Sequence, residues 1–298
     1  MRASAAATHA RLGGPGQWLL TLPADYIAGT QVLLRSVLAG AEPVILDEHA
    51  DLTSAVAQLK QPPRYTSLVP TQLTRLLQRE PDAEALAMFD AVLVGGGAIE
   101  DDLRRSAQRR GVPVVATYGM SETCGGCVYD GVALDGVEVE IADSGRIRVA
   151  GPVLFDGYHG RADLTATVLQ DGWFQTSDLG RIDGEGRLEV LGRVDDVVVS
   201  GGVNVPTGAV AARLREHRAV TAAEVVGAPD AEWGQVVVAV LSATGLDLEQ
   251  VRDFVSATHP RAWAPRRLVL VDEVPLLPNG KPDRGALERL ARRSAPPR

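Results

Sequence analysis

The chain has 298 residues, 45% of them hydrophobic, with a formal net charge of -8 and an isoelectric point near 5.2. That length holds a large core and predicts two domains, while acids and bases interspersed along an acidic chain exclude a general nucleic-acid or membrane-surface binder, which would carry a basic patch or a basic amphipathic helix. No run approaches the roughly 18 apolar residues of a membrane span, and the first residues lack the apolar core of a signal peptide, so the expectation is a cytoplasmic protein.

In chain order, apolar runs of strand length alternate with helix-period segments up to Tyr118. Residues 18–22, 44–46, 67–69, 92–94 and 114–116 read as strands, and 27–39, 52–60, 71–79 and 100–110 as helices. Such a βαβα series predicts an α/β fold with a parallel sheet and helices packed on it. Beyond Tyr118 come short strand signals at 137–139, 146–149 and 187–191, separated by Gly, Asp and Pro, which predict a small β-barrel. The remainder, with strands at 224–227, 236–241 and 268–271 and a helix at 248–258, reads as an α+β domain of roughly 100 residues. The expected division is 1–194 (an α/β subdomain at 1–123 and a barrel-like one at 124–194) followed by a mobile C-terminal domain at 195–298.

Polar chemistry concentrates in Tyr118-Gly119-Met120-Ser121-Glu122-Thr123, expected to close a buried apolar strand at 112–116. Strands of α/β sheets present their carboxyl ends to ligands. There Glu122 is a hard oxygen ligand suited to Mg²⁺, Ser121 a hydroxyl for a phosphate oxygen, Tyr118 a flat face for a base, and Gly119 a place for the backbone to turn. Taken alone, the hexapeptide also reads as a strand end followed by an N-capping Ser and a first-turn Glu opening a helix. Residues 92–94 run into Gly95-Gly96-Gly97-Ala98, either a wall that lets a flat ring approach the backbone or a plain flexible turn. The only cysteines, Cys124 and Cys127, form C-x-x-C, but no histidine stands at metal-ligand spacing from them, and Gly125-Gly126 is a poor start for the helix that a thioredoxin-like pair opens.

The Tyr-Gly-x-Ser/Thr-Glu pattern resembles the adenylate-binding motif of the superfamily of acyl-CoA synthetases, non-ribosomal peptide adenylation domains and luciferases. Four further segments match that family in order: Gly95-Gly96-Gly97-Ala98; Thr176-Ser177-Asp178; Gly192-Arg193-Val194-Asp195-Asp196 with Gly201-Gly202; and Pro278-Asn279-Gly280-Lys281-Pro282-Asp283-Arg284. The resemblance covers essentially the whole chain. It implies ATP and Mg²⁺ as cofactors, coenzyme A as co-substrate and a small carboxylic acid as substrate, with an acyl adenylate formed first and a thioester second. By the same resemblance Lys281, Glu122 and Ser121 are catalytic, Glu122 being the metal ligand. Gly95, Gly96, Gly97, Ala98, Tyr118 and Gly119 hold the base, Asp178 and Arg193 the ribose, and Gly201 and Gly202 the pantetheine arm. Asp195 is the implied hinge. Tyr26, at the aromatic or His position of a Leu-Pro...His...Gly pattern, shapes the acyl pocket with the small residues Gly125 and Gly126. By themselves, Lys281 reads as a solvated surface charge, Asp178 as a turn cap and Tyr26 as a helix start.

Gly13-Gly14-Pro15-Gly16-Gln17-Trp18-Leu19-Leu20 and Cys124-Gly125-Gly126-Cys127-Val128-Tyr129-Asp130-Gly131 resemble the actinobacterial o-succinylbenzoate CoA ligase subfamily of menaquinone synthesis. The family's Ser/Thr/Gly-rich phosphate loop ending Pro-Lys is not among these residues and would lie upstream of Met1. A misplaced start, a truncated gene or partial chemistry are the alternatives. Beside the ligase reading stand a non-catalytic remnant binding adenylate or CoA and a ligase for another aryl or medium-chain acid; a homo-oligomer is left open.

Overall fold

Strands whose successive residues are apolar belong in a sheet covered on both faces, and the computed structural model has that sheet at its N-terminal end. It describes residues 1–276 and 282–294, with the backbone alone of residue 195, so Lys281 lies outside the described residues. The chain divides into two units, Met1–Thr176 with Ile182–Glu189, and Ser177–Arg181 with Val190–Arg298.

In the first unit, strands β1 (Gln17–Leu20), β2 (Val44–Ile45), β3 (Arg64–Leu68), β4 (Ala91–Gly95) and β5 (Val114–Met120) pair in parallel. β6 (Gly125–Tyr129) and β7 (Val132–Ala133) extend the sheet antiparallel, giving the order β2-β1-β3-β4-β5-β6-β7. Helices α1 (Arg2–Arg11), α2 (Ile27–Ala39), α3 (Leu52–Val56), α4 (Pro70–Leu77), α5 (Glu80–Leu86) and α6 (Asp101–Arg109) accompany it. The period of two sorts the strands' side chains. Leu19, Val92 and Val94 enter a core with Leu52, Leu73, Leu86 and Phe89, while Trp18, Leu20 and Leu93 enter a second core with Tyr129, Ile147 and Val149. Fully burying each such side chain stabilises the fold by about 1.5–3 kcal/mol.

Local signals set the helix ends. Asp51 accepts the Ser54 backbone N–H at 2.8 Å while the Ser54 hydroxyl accepts that of Asp51 at 3.2 Å, a reciprocal cap on α3. Pro70 opens α4, and Gly40, at φ 65°, closes α2.

The short strands after β7 form a second sheet. β8 (Glu138–Ile141) and β9 (Arg146–Ala150) pair antiparallel; then come α7 (Ala162–Val168), β10 (Leu169–Gln170), β11 (Trp173–Ile182) and β12 (Leu188–Arg193), in the order β10-β11-β9-β8 with β12 on β11. In the second unit, β13 (Val197–Ser200) and β14 (Val203–Pro206) form a hairpin. After α8 (Thr207–Arg215), β15 (Val220–Asp230) and β16 (Gly234–Ala243) make a long antiparallel pair; α9 (Leu248–Ser256), β17 (Arg267–Leu270) and α10 (Arg284–Arg293) complete it. Alternate β16 residues face opposite ways, Val237, Ala239 and Leu241 toward Leu214 and Val251, and Val236, Val238 and Val240 toward Leu287 and Ala291. Among the described residues no helix is long and apolar enough to cross a membrane.

The architecture is thus mixed α/β, with a parallel sheet followed by antiparallel ones, as the sequence led us to expect. Three local expectations are corrected. The Tyr118 motif does not come after a buried strand but continues one: β5 runs through Met120 and is half-buried along its length, because β6 pairs with that extension. Past Met120 the chain makes a single 3-10 turn, Ser121–Thr123, rather than a helix. The helix expected over 52–60 stops at Val56.

Candidate functional site

Parallel pairing of β4 with β5, Gly95 opposite Thr117, sets the first two motifs side by side at the carboxyl ends of adjacent strands. A side chain at Gly95 would begin 2.3 Å from Thr117 Oγ1, so the strands approach this closely only with glycine there. Gly96, Gly97 and Ala98 continue as an exposed segment, and Tyr118, half-buried, packs on the second core.

The turn after β5 is pinned from several directions. Thr123 is buried; its hydroxyl accepts the Met120 N–H at 2.9 Å and donates to Gly125 O at 2.7 Å. Cys124 adopts φ 53° and Gly125 φ 100°, reversing the chain into β6, so both glycines of the Cys124–Cys127 segment are already strand. A Cβ on Gly119 would lie 2.1 Å from Gly125 O. Gly119→Ala is therefore expected to cost about 1–3 kcal/mol by overpacking, read as a lowered midpoint in thermal unfolding; an unchanged midpoint would contradict the close approach.

This geometry leaves Ser121 exposed and Glu122 half-buried. The Glu122 carboxylate accepts a hydrogen bond from the Tyr158 hydroxyl at 2.8 Å. Burial, reinforced by Glu122, pushes the Tyr158 phenol up to about 12, so it remains a donor at neutral pH. Sequence reasoning missed Tyr158. Its signal was Phe155-Asp156-Gly157-Tyr158, an aromatic pair around a glycine between the strand signals at 146–149 and 187–191. Among the described residues no group of three or more His, Cys, Asp and Glu could hold a metal. A lone carboxylate fits Mg²⁺, which keeps waters and takes phosphate oxygens as its other ligands.

Behind β6 lies a polar cluster that sequence reasoning also missed. Arg35, 3% exposed, donates from Nη2 to Thr8 Oγ1 at 3.1 Å and lies over the Trp18 ring at 4.9 Å. Gln31, one helical turn earlier, donates to Cys124 O at 2.7 Å. Among the described residues Arg35 Nε and Gln31 Oε1 are buried with no hydrogen-bond partner. Burial depresses the Arg35 guanidinium's pKa, with Tyr129 opposing the shift. A cation this deep ordinarily has a carboxylate beside it. The sequence offered one signal, an arginine on the apolar helix 27–39. Tyr26 caps the same helix at its N-terminus and is 67% exposed. Burial pushes the Cys127 thiol up to about 11, which keeps it from acting as a thiolate.

The second unit gathers the other motifs. Asp178 is buried, and Arg193 Nη1 stands 3.2 Å from its Oδ1. The backbone of Asp195 lies in the 3-10 turn Val194–Asp196, between β12 and β13. Gly201 and Gly202 form the exposed β13–β14 turn, where the Gly201 N–H donates to Trp233 O at 3.0 Å. Asp196 of the same 3-10 turn pairs with Arg284 at the start of α10.

Comparison with known proteins finds matches in both parts of the chain. The family model for the AMP-binding enzyme matches residues 2–159, and that for the AMP-binding enzyme C-terminal domain matches residues 209–281. A probable 2-succinylbenzoate–CoA ligase of Mycobacterium tuberculosis is 44% identical over 97% of this chain and 78% of its own length. The 2-succinylbenzoate–CoA ligase of Listeria innocua is 32% identical over 91% of this chain and 61% of its own. Among solved structures, o-succinylbenzoate CoA synthetase from Bacillus subtilis in complex with its acyl-adenylate intermediate superposes with a TM-score of 0.80 at 28% identity, over 96% of this chain and 64% of that one. With more than half of its residues under one family model and a 44% identical relative along nearly its whole length, the chain belongs to the AMP-binding enzyme family.

Proposed function

We propose that the protein is an ATP-dependent acid–CoA ligase whose acid is 2-succinylbenzoate, the substrate named for its Mycobacterium and Listeria relatives. A carboxylate attacks the α-phosphate of ATP and expels pyrophosphate; the thiol of coenzyme A then attacks the acyl adenylate and releases AMP. In the first step two anions meet, and at about 4 Å their repulsion is of order 4 kcal/mol at an effective dielectric of 20. Glu122 would hold Mg²⁺, which would supply charge neutralisation at the phosphates. The Lys281 ammonium aligns acid and phosphate, Ser121 donates to a phosphate oxygen, and Asp178 with Arg193 holds the ribose. Gly95–Gly97, Ala98, Tyr118 and Gly119 frame the base, and Gly125 and Gly126 with Tyr26 bound the acid. In the second step the Gly201-Gly202 turn serves the pantetheine arm, with Asp195 as pivot of the C-terminal domain, 195–298.

Arg35 carries the choice of acid. A dicarboxylate keeps one charge after the other carboxylate has reacted, and a buried guanidinium behind β6 that, among the described residues, has no carboxylate partner favours an acid of that kind over a monocarboxylate. The test is acid-dependent AMP and thioester formation with 2-succinylbenzoate and with benzoate. Arg35→Met is expected to raise KM for the dicarboxylate about tenfold or more, the loss of one charge-assisted contact, while leaving KM for benzoate unchanged. Equal preference for the two acids in the unsubstituted protein would overturn the choice of acid, and no acid-dependent AMP with any carboxylic acid would overturn the ligase reading.

A further inference from the structure

Glu122 is the single acidic side chain of its turn, and the structure builds a support around it. The Phe155 N–H donates to Glu122 O at 2.9 Å, tying the segment after β9 to the 3-10 turn. Three residues on, the Tyr158 hydroxyl donates to Glu122 Oε1 at 2.8 Å. Tyr158 is itself held: its N–H donates to Thr165 Oγ1 at 2.9 Å, and that hydroxyl donates to Arg161 O at 3.0 Å at the start of α7. Its ring meets Phe155 edge-on at 4.9 Å, and Phe155 meets Phe174 edge-on at 5.6 Å. One segment thus grips Glu122 by main chain and side chain together.

We propose that Tyr158 is a positioning residue that fixes the Glu122 carboxylate as a one-oxygen ligand, engaging Oε1 so that Oε2 is presented to Mg²⁺ on the nucleotide. The inference rests on the reading of Glu122 as the Mg²⁺ ligand. Mg²⁺ demands near-ideal octahedral geometry and dehydrates reluctantly, so a carboxylate already held in one rotamer, with one oxygen occupied, favours single-oxygen coordination beside water and phosphate. Hydrogen bonds that orient a metal ligand in this way are typically worth about 10–100-fold in metal affinity. A residue that merely packed the aromatic cluster would lose nothing on Tyr158→Phe, which keeps the ring and removes only the hydroxyl.

The experiment is calorimetric titration of Mg²⁺ into the full chain with α,β-methylene ATP, with AMP binding in the absence of metal as a second readout. For Tyr158→Phe the expected result is Mg²⁺ affinity weakened about 10–100-fold, with metal-free AMP binding unchanged. Glu122→Gln should weaken Mg²⁺ at least as much, and Glu122→Gln/Tyr158→Phe should be no weaker than Glu122→Gln alone, because the hydroxyl acts through that carboxylate. Unchanged or tighter Mg²⁺ binding by Tyr158→Phe, or equal loss of metal-free AMP binding, overturns the positioning role and leaves the ligase reading standing. Failure of Glu122→Gln to affect Mg²⁺ at all removes the metal assignment itself, and the role of Tyr158 with it.

Discussion

Replacing Lys281 by alanine is expected to lower acyl-adenylate formation by roughly 10²–10³-fold, the loss typical of removing one preorganised group aimed at developing charge, while thioester formation from a supplied acyl adenylate stays near that of the unchanged chain. The asymmetry comes from the chemistry. Only the first half-reaction brings a carboxylate against a phosphate, and only there does an ammonium offset anion–anion repulsion and hold the in-line approach. Attack of a thiol on an acyl adenylate builds charge at a carbonyl instead. Single-turnover quench measurements of the two half-reactions, on one preparation, separate them. Equal loss in both would overturn the confinement of Lys281 to the first step, and full adenylation by Lys281→Ala would remove it from that step. Lys281→Arg is expected to recover little, since a planar guanidinium does not reproduce a compact point charge.

Asp178→Asn is expected to weaken AMP binding by about 10–100-fold, equivalent to losing charge-assisted hydrogen bonds worth roughly 1.5–3 kcal/mol. A carboxylate is acceptor-only and can take a hydrogen bond from each of two vicinal ribose hydroxyls, whereas an amide turns one of its positions into a donor. Asn keeps the volume of this buried site, so the fold should survive. The Arg193 contact at 3.2 Å weakens as well, and with it the guanidinium's placement. Calorimetry with AMP and with 2′,3′-dideoxy-AMP distinguishes the causes. If Asp178 reads the ribose, the substitution and the dideoxy ligand should show losses that do not add; additive losses would place Asp178 elsewhere.

What the sequence made legible was the scaffold and its glycines. β1 and β4 announced themselves because both faces of the sheet are buried there, leaving unbroken apolar runs such as 91–94. Gly95 and Gly119 were readable as special positions, although their cause, a neighbouring strand within van der Waals distance, needs coordinates. α1 escaped notice because its buried face is made of Ser4, Ala5, Ala7, Thr8 and His9, residues that give no apolar helical period. β6 was read as a loop because two of its five residues are glycine, a composition that opposes strands unless a partner strand stands close by. Tyr158 and Arg35 were missed for a shared reason. Tyr158 stands 36 residues from Glu122 and Arg35 27 residues from Thr8, so neither is a motif. Their meaning lies in contacts between segments that the chain alone does not bring together.

Arg35 has a further consequence, for the thermodynamics of the ligand-free protein. Among the described residues no carboxylate pairs with Arg35; desolvating such a guanidinium lowers the stability of the empty fold, and an acid that supplies the charge returns that stability on binding. A ligand that binds only the folded state stabilises it by about 2.7 kcal/mol at a hundred times its Kd. The melting temperature is therefore a gauge of which acid the protein was shaped around: dianionic aryl acids should raise it, their monoanionic analogues less, and Arg35→Met should melt at nearly the same temperature whichever is added.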